Sequence, residues 1–436
     1  MKVLKFGGTS IGSAQRMKHV AKLICDDNRK VVVLSAMSGT TNSLVEISDY
    51  FYKNNTSGAL EKINALEQKY YSTIDELFET EKHKTECAAI IKSHVDYIRE
   101  FSKSVFTLFE EKAILAQGEL LSTSMFQLYL QEIGAKSVLL PALEFMRIDK
   151  NAEPNTAYIN EHLAKQLEKH PDAEIYLTQG YICRNFYGEI DNLQRGGSDY
   201  TASLIGAALN SEEIQIWTDI DGMHNNDPRI VEGTQPVRVL HFEEAAELAY
   251  FGAKILHPTC ILPAKLHNIP VRLLNTMEPD ATGTLISNQI CEKEIVAVAA
   301  KENITAIKIK SGRMLLAYGF LRKIFEIFES YRTSIDMVTT SEVGVSVTID
   351  NAKHLDEIVN DLKKFGTVTV DKDMVIICVV GDMPNENVGL QAKVVNALKD
   401  IPVRMISYGG SNYNISFLVK SDDKIRALQA LSKNLF

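Results

Sequence analysis

The sequence predicts an α/β protein in two parts, a mainly parallel sheet between helical layers and then a pair of smaller βαββαβ modules. Three observations predict it. The chain opens with a short apolar strand, Val3-Leu4, that runs into Lys5-Phe6-Gly7-Gly8-Thr9-Ser10 and a helix. Backbone N–H groups and a helix dipole at such a turn can face an anion, phosphate above all, and Lys5 adds a full positive charge. A second glycine-lined helix start, Arg195-Gly196-Gly197-Ser198-Asp199-Tyr200-Thr201, follows in the same half. In the last third, Gly319-Phe320-Leu321 with Ile324 and Phe328, then Ile335-Asp336-Met337-Val338, is echoed seventy residues on. The echo is Gly389-Leu390-Gln391 with Val394 and Leu398, then Val403-Arg404-Met405-Ile406, an internal repeat.

Taken in order, Met17, Val20, Ala21 and Ile24 recur at helical spacing over 13–25, and Val31-Val32-Val33-Leu34 is a buried parallel strand. Its carboxyl end carries the loop Ser35-Ala36-Met37-Ser38-Gly39-Thr40-Thr41-Asn42, at the edge where open α/β sheets bind ligands. From 50 to 115 the chain is charged and poor in Gly and Pro, with Ile90, Ile91, His94, Val95 and Ile98 at helical spacing. This is an inserted helical hairpin, expected to cover or prop the site. Gln117-Gly118-Glu119 then opens another helix, with Leu120, Leu121, Met125, Leu128 and Tyr129 on its buried face. Glu119 near that start is favoured by the dipole as a plain helix-start acid, or it is a ligand for a substrate ammonium.

A strand over 174–180 leads to the second glycine turn, where Arg195 can hold a carboxylate or phosphate in bidentate fashion. Ile214-Gln215-Ile216-Trp217 runs into Thr218-Asp219-Ile220-Asp221-Gly222 and then Asp227-Pro228-Arg229. Acidic and hydroxyl groups there suit nucleotide and metal chemistry, although Asp-Gly and Asp-Pro are also turn formers. A helix over 243–251 precedes Gly252-Ala253-Lys254-Ile255-Leu256-His257-Pro258, where His257 reads as a core or turn histidine and Lys254 as a second cation for a phosphoryl group. The texture changes at about 282–284.

Composition narrows the function classes. At 436 residues the chain holds two or three domains, and Lys plus Arg (47) against Asp plus Glu (56) gives a net charge of −9 with no basic block. That argues against nucleic-acid binding and leaves anionic ligands to a few focused cations. The six cysteines are scattered without CxxC or metal spacing, and read as reduced, mostly buried thiols. No apolar run reaches membrane-spanning length and no leader pattern opens the chain, so no membrane partner and a cytoplasmic location are expected. Neither a Walker-A spacing nor a Gly-x-Gly-x-x-Gly fingerprint occurs.

Lys-Phe-Gly-Gly-Thr-Ser, Ser35-Ala36-Met37 before Thr41-Asn42, Gly118-Glu119, Arg-Gly-Gly-Ser-Asp-Tyr-Thr-Ala, Thr218-Asp219 before Asp227-Pro228-Arg229, and Phe-Gly-Ala-Lys254 before Leu-His-Pro come in one order over nearly the whole chain. In this the sequence resembles the aspartate kinases, and its repeat resembles their paired ACT domains. The resemblance implies an amino-acid-kinase fold over 1–290, with 50–115 as its insert. It implies two ferredoxin-like ACT domains, one over 303–372 and the other over 291–302 with 373–436. The implied reaction moves the γ-phosphoryl of ATP, as Mg-ATP with no dedicated protein metal site, to the side-chain carboxylate of L-aspartate. That step opens the route to lysine, threonine, methionine and isoleucine.

By the same resemblance Lys5 and Asp199 are catalytic. Lys5, Gly7, Gly8, Thr9, Ser35, Thr218, Asp219, Asp227, Arg229 and Lys254 hold ATP, and Thr41, Glu119, Arg195 and Ser198 hold aspartate. The stretches 314–320 and 335–343 look most like the lysine-sensitive, single-function branch. Met314, Gly319, Phe320, Asp336, Thr340, Ser341 and Glu342 are then expected to bind an effector amino acid, lysine first and threonine second, in a dimer or tetramer joined through the ACT domains. Gln194, Cys183, His224 and Ala317 depart from the family pattern, the last where lysine-sensitive relatives commonly have serine. Two other readings compete: a kinase for glutamate or N-acetylglutamate, and an amino-acid-sensing regulator with a degenerate kinase domain. The insert and the ACT pair oppose the first, and the intact cation and glycine sets oppose the second.

Overall fold

A computed structural model describes residues 1–26, 28–103, 105–193, 196–252, 257–289, 293–312, 314, 318–384 and 388–436. The chain forms two compact units, Met1–Met223 with Ile255–Gln289, and His224–Lys254 with Ile290–Phe436. Among the described residues no helix is long and apolar enough to cross a membrane.

The first unit is laid out in chain order. β1 (Lys2–Phe6), α1 (Ala14–Ile24) and β2 (Lys30–Leu34) make the opening βαβ, and Ser13 caps α1 by accepting from Arg16 N–H. α2 (Thr40–Tyr52), α3 (Thr56–Leu77), α4 (Glu81–Glu100) and α5 (Leu108–Glu132) follow. Then come β3 (Ser137–Leu140), α6 (Thr156–Glu168), β4 (Ile175–Gln179), the β5 (Ile182–Arg184) and β6 (Ile190–Asn192) ribbon, α7 (Gly197–Ala208) and β7 (Ile214–Thr218). After β8 (Val239–His241) and α8 (Phe242–Tyr250), which belong to the second unit, the chain adds α9 (Pro258–Leu266), β9 (Val271–Asn275) and β10 (Thr284–Ser287).

The strands of this unit lie in the order β3-β4-β2-β1-β7-β9-β10, parallel up to the antiparallel β10. Val31 to Leu34 are wholly buried, as an apolar run covered on both faces requires. Strand order reverses at β1, and the register pairs Phe6 with Leu34 and with Trp217, and Leu34 with Gln179. The loops after β1, β2, β4 and β7 therefore leave the sheet at one edge, the switch point at which such sheets bind ligands. Leu44, Ile47, Ile63, Leu66, Tyr70, Ile91, Val95, Ile98 and Leu121 of α2 to α5 join Met17 and Val20 of α1 in one core.

One expectation needs correction. Glu119 does not stand near a helix start: α5 begins at Leu108, where Thr107 and Glu110 form a reciprocal capping box, and runs unbroken to Glu132. Glu119 lies mid-helix, outside the reach of the terminal dipole. Gly118 is mid-helix because the helix passes close to the β2–α2 loop, and a Cβ there would lie 2.8 Å from Ala36 Cβ.

In the second unit β11 (Ala297–Lys310), α10 (Phe320–Ser330), β12 (Val338–Ser341), β13 (Gly344–Ile349), α11 (Leu355–Leu362), β14 (Thr367–Val380), α12 (Leu390–Ala397), β15 (Met405–Tyr408), β16 (Asn414–Lys420) and α13 (Lys424–Leu435) follow in order. One antiparallel sheet, β12-β13-β11-β14-β16-β15, carries two cores. Ile307, Ile309, Phe320, Ile324, Phe328, Val345 and Ile358 form one, and Val375, Ile377, Val394, Phe417, Leu428 and Leu431 the other. The 14-residue strands β11 and β14 run through both, and their register shifts at Lys301, Ile304 and Ala306 divide the two halves. Gly319 and Gly389 are equivalent left-handed caps, φ +77° and +90°, at the starts of α10 and α12.

Candidate active site

At the end of β1 the ammonium of Lys5 stands 2.6 Å from Asp199 Oδ1, in the first turn of α7, with side-chain exposures of 12% and 14%. The ammonium does not point along a hydrogen bond, so this buried oxygen has no directed donor among the described residues. Beside the pair is the glycine turn. Gly7 N–H donates to Trp217 O (3.4 Å), and a Cβ on Gly7 would lie 3.5 Å from Lys5 Nζ. Gly8 O accepts Ser38 N–H (3.1 Å), and a Cβ on Gly8 would press to 2.8 Å from Ala36 O. A side chain is thus excluded at Gly8, where two backbone segments lie close, and a cation is held at the turn's shoulder. That arrangement fits a phosphate.

Glu119 reaches the same edge from α5. Its carboxyl accepts Ala36 N–H (3.0 Å) and its side chain is almost wholly enclosed, with the residue 4% exposed. Burial pushes its pKa up to about 8, against the smaller opposing pull of the Ala36 N–H and the Lys5 charge. A carboxyl with that pKa keeps its proton at neutral pH unless a cation comes beside it. Around it Ser122 Oγ donates to Ser35 O (2.8 Å), Thr123 Oγ1 to Glu119 O (2.7 Å), and Gln179 Nε2 to Thr123 Oγ1 (2.9 Å), which ties α5 to the ends of β2 and β4.

The remaining sequence-predicted residues fall as follows. Thr9 is exposed just past the glycine turn, and Thr41 is exposed in the first turn of α2. Ser198 faces Gly180 at the end of β4. Thr218 closes β7 and its hydroxyl donates to Asp219 Oδ1 (3.2 Å). Asp227 and Arg229 belong to the second unit and pair with each other in bidentate fashion (2.9 and 2.7 Å), which holds the Asp227 carboxyl below the usual carboxylate range. Arg195 and Lys254, with the departures Gln194 and Ala317, lie outside the described residues. Cys183 is buried on β5, and His224 Nδ1 lies 3.0 Å from Thr234 Oγ1.

Tyr181 is a residue the sequence did not single out. It sits just beyond β4 at φ +65°, its N–H donates to Thr201 Oγ1 (3.0 Å), and its ring lies where a Cβ on Gly197 would be, 2.3 Å from Cδ2. Left-handed backbone at a tyrosine is strained. No local signal announces it.

The expected effector residues lie in the second unit. Phe320 and Met314 pack on the first of its cores, Gly319 caps α10, and Thr340, Ser341 and Glu342 are exposed at and beyond edge strand β12. Asp336, its side chain only 1% exposed, accepts from Lys301 Nζ (2.6 Å) and Tyr250 Oη (2.9 Å) through Oδ1. Its Oδ2 has no partner among the described residues, and burial raises its pKa against the pull of Lys301.

A parallel sheet with a glycine turn, a lysine–aspartate pair and a buried carboxyl at its switch point, followed by a βαββαβ repeat, defines an amino acid kinase with an ACT module. The amino acid kinase family matches residues 1–275, and the ACT domain matches 377–435. Aspartokinase 1, chloroplastic, of Arabidopsis thaliana is 36% identical over all of this chain and 80% of its own length. Lysine-sensitive aspartokinase 3 of Escherichia coli is 32% identical over 100% of this chain and 99% of its own. The crystal structure of E. coli aspartokinase III in complex with aspartate and ADP superposes with a TM-score of 0.88, at 31% identity and full coverage of both chains. The chain belongs to the aspartokinase family.

Proposed function

We propose that the chain transfers the γ-phosphoryl of Mg-ATP to the side-chain carboxylate of L-aspartate, giving 4-phospho-L-aspartate. The observation that carries this is the Lys5–Asp199 pair beside the glycine turn, with the Glu119 carboxyl at the same edge. A carboxylate is already a nucleophile, so no general base is required. The chain's task is alignment and neutralisation of charge on the moving phosphoryl group. Lys5 and the amides of Gly8 and Thr9 meet the phosphates beside Gly7, whose own N–H is engaged with Trp217 O, and Asp199 holds the Lys5 ammonium at the turn by charge. Glu119 takes the substrate ammonium, Arg195 its α-carboxylate, and Thr41 and Ser198 assist. Ser35, Thr218, Asp219, Asp227, Arg229 and Lys254 hold the nucleotide, whose magnesium arrives as part of the substrate. Aspartate and ADP in the E. coli structure support both substrates.

The test is ATP-dependent acyl-phosphate formation, trapped with hydroxylamine, from aspartate, glutamate and N-acetylglutamate. Product from aspartate alone is expected, and product only from another acid refutes the substrate assignment. The lone tryptophan reports the nucleotide. Trp217 stacks on Phe6 (5.6 Å, 17°) and accepts Gly7 N–H, so saturating Mg-ATP should change its fluorescence. An unchanged spectrum separates the nucleotide from the end of β7.

The two ACT domains, 303–372 and 291–302 with 373–436, bind lysine in a homo-oligomer, while 1–290 carries catalysis. The register break at 301–306 supports that division, and the lysine-sensitive E. coli relative supports the effector. The Asp336 oxygen left without a partner among the described residues supports the assignment of Asp336 to the effector ammonium. Asp336→Asn should raise the lysine concentration for half-inhibition at least about 10-fold, the size of one charge-assisted hydrogen bond. An unshifted lysine titration removes Asp336 from the effector site.

A further inference from the structure

Helix α3 of the insert aims two consecutive residues at the loop between β2 and α2. Lys69 Nζ donates to Ser38 O, and it would lie 3.5 Å from a Cβ on Gly39. Tyr70, wholly buried, shares a hydrogen bond with Thr40 Oγ1 (3.1 Å). The N–H of the same residue, Ser38, donates to Gly8 O (3.1 Å) of the glycine turn. One residue, Ser38, is therefore held through its N–H by the glycine turn and through its C=O by the insert. Three residues on stands Thr41. Gly39, the N-cap of α2, has φ +79° and no capping side chain, so α2 itself does little to fix its entry angle.

We propose that Lys69 and Tyr70 are positioning residues for substrate binding: they fix the segment 38–41 and, through it, the placing of Thr41 for aspartate. Stability gives no reason for the lysine. Lys69 is half-buried, and burial lowers its pKa with no described carboxylate opposing the shift. A desolvated cation without a counter-charge is a cost to the fold, so a methyl-ended side chain of similar length should leave stability unchanged or raise it. What Lys69 supplies is direction, a strong donor on one carbonyl oxygen of a loop that must hold still.

The inference rests on the aspartate kinase reading, and Lys69→Met, Lys69→Arg and Tyr70→Phe test it in the full chain. For Lys69→Met the expected result is a KM for aspartate raised about 10-fold, with kcat and the KM for ATP within about 3-fold. The melting temperature should be equal or higher. Lys69→Arg, which keeps a donor, should return the KM for aspartate to within about 3-fold of wild type, and Tyr70→Phe should raise it in the same direction by less. Wild-type kinetics in Lys69→Met overturns the inference. So does a fall in kcat together with melting temperature that arginine does not rescue, since that is a merely structural role. A wild-type chain that makes no acyl phosphate from aspartate refutes the functional reading itself, a result distinct from either.

Discussion

Lys5→Met is expected to lower acyl-phosphate formation from aspartate by about a thousandfold, or about 4 kcal/mol of transition-state stabilisation. The Lys5 ammonium lies beside the glycine turn, 3.5 Å from where a Cβ on Gly7 would be, and no other described side chain in the first unit pairs a cation with Asp199. The loss should fall on kcat, because the charge Lys5 meets grows as the phosphoryl group moves. Removing the ammonium also strands a largely buried carboxylate, so the folded fraction must be measured beside the rate. Lys5→Met with Asp199→Asn removes both charges and should recover stability without recovering turnover. Retention of more than a tenth of wild-type kcat in folded Lys5→Met refutes the role given to this lysine.

Glu119→Gln is the second large effect, and here the pH dependence carries the argument. The folded carboxyl titrates at about 8 and an unfolded one near 4.5. Between those values the native state holds a proton that the unfolded chain has released, so this group's contribution to stability falls as pH rises through that window. Glutamine, which cannot ionise, removes the fall: the variant should match wild type near pH 4 and exceed it at pH 8, as read from thermal melts. Binding runs the other way. Below pH 8 a substrate ammonium must displace the Glu119 proton, so the wild-type KM for aspartate should drop with rising pH and level off above 8. In Glu119→Gln that slope should vanish, with KM raised about 100-fold, the order of losing a buried charge-assisted hydrogen bond. A glutamine variant with the wild-type KM and slope takes Glu119 out of the substrate site.

The parallel sheet and the repeat were legible because both are written in local pattern. The apolar run at 31–34 can only be a strand covered on both faces, and Gly319 and Gly389 announce equivalent helix starts by needing left-handed backbone. Gly-Gly after Phe6 announced its turn, and at Gly8 the close approach of Ala36 O tolerates no Cβ. The family likeness supplied roles for single residues that the pattern left open. Glu119 was misplaced along its helix because the apolar spacing after 117 hid a capping box ten residues earlier, at Thr107 and Glu110. Tyr181 and Lys69 were invisible for another reason. Strain at φ +65° and a lysine donating across 31 residues to Ser38 O are products of tertiary placement, and neither residue stands out from its sequence neighbours.

The two long strands of the second unit set a limit on how that unit can be taken apart. β11 and β14 each contribute one half to the core around Phe328 and the other half to the core around Phe417. A severed chain therefore cannot release one module whole, because any cut that frees one removes two interior strands from its neighbour. The halves should open to solvent together. Amide protons of Ile307 and Ile377, one from each end of this shared fabric, are expected to exchange by a common event with one free energy.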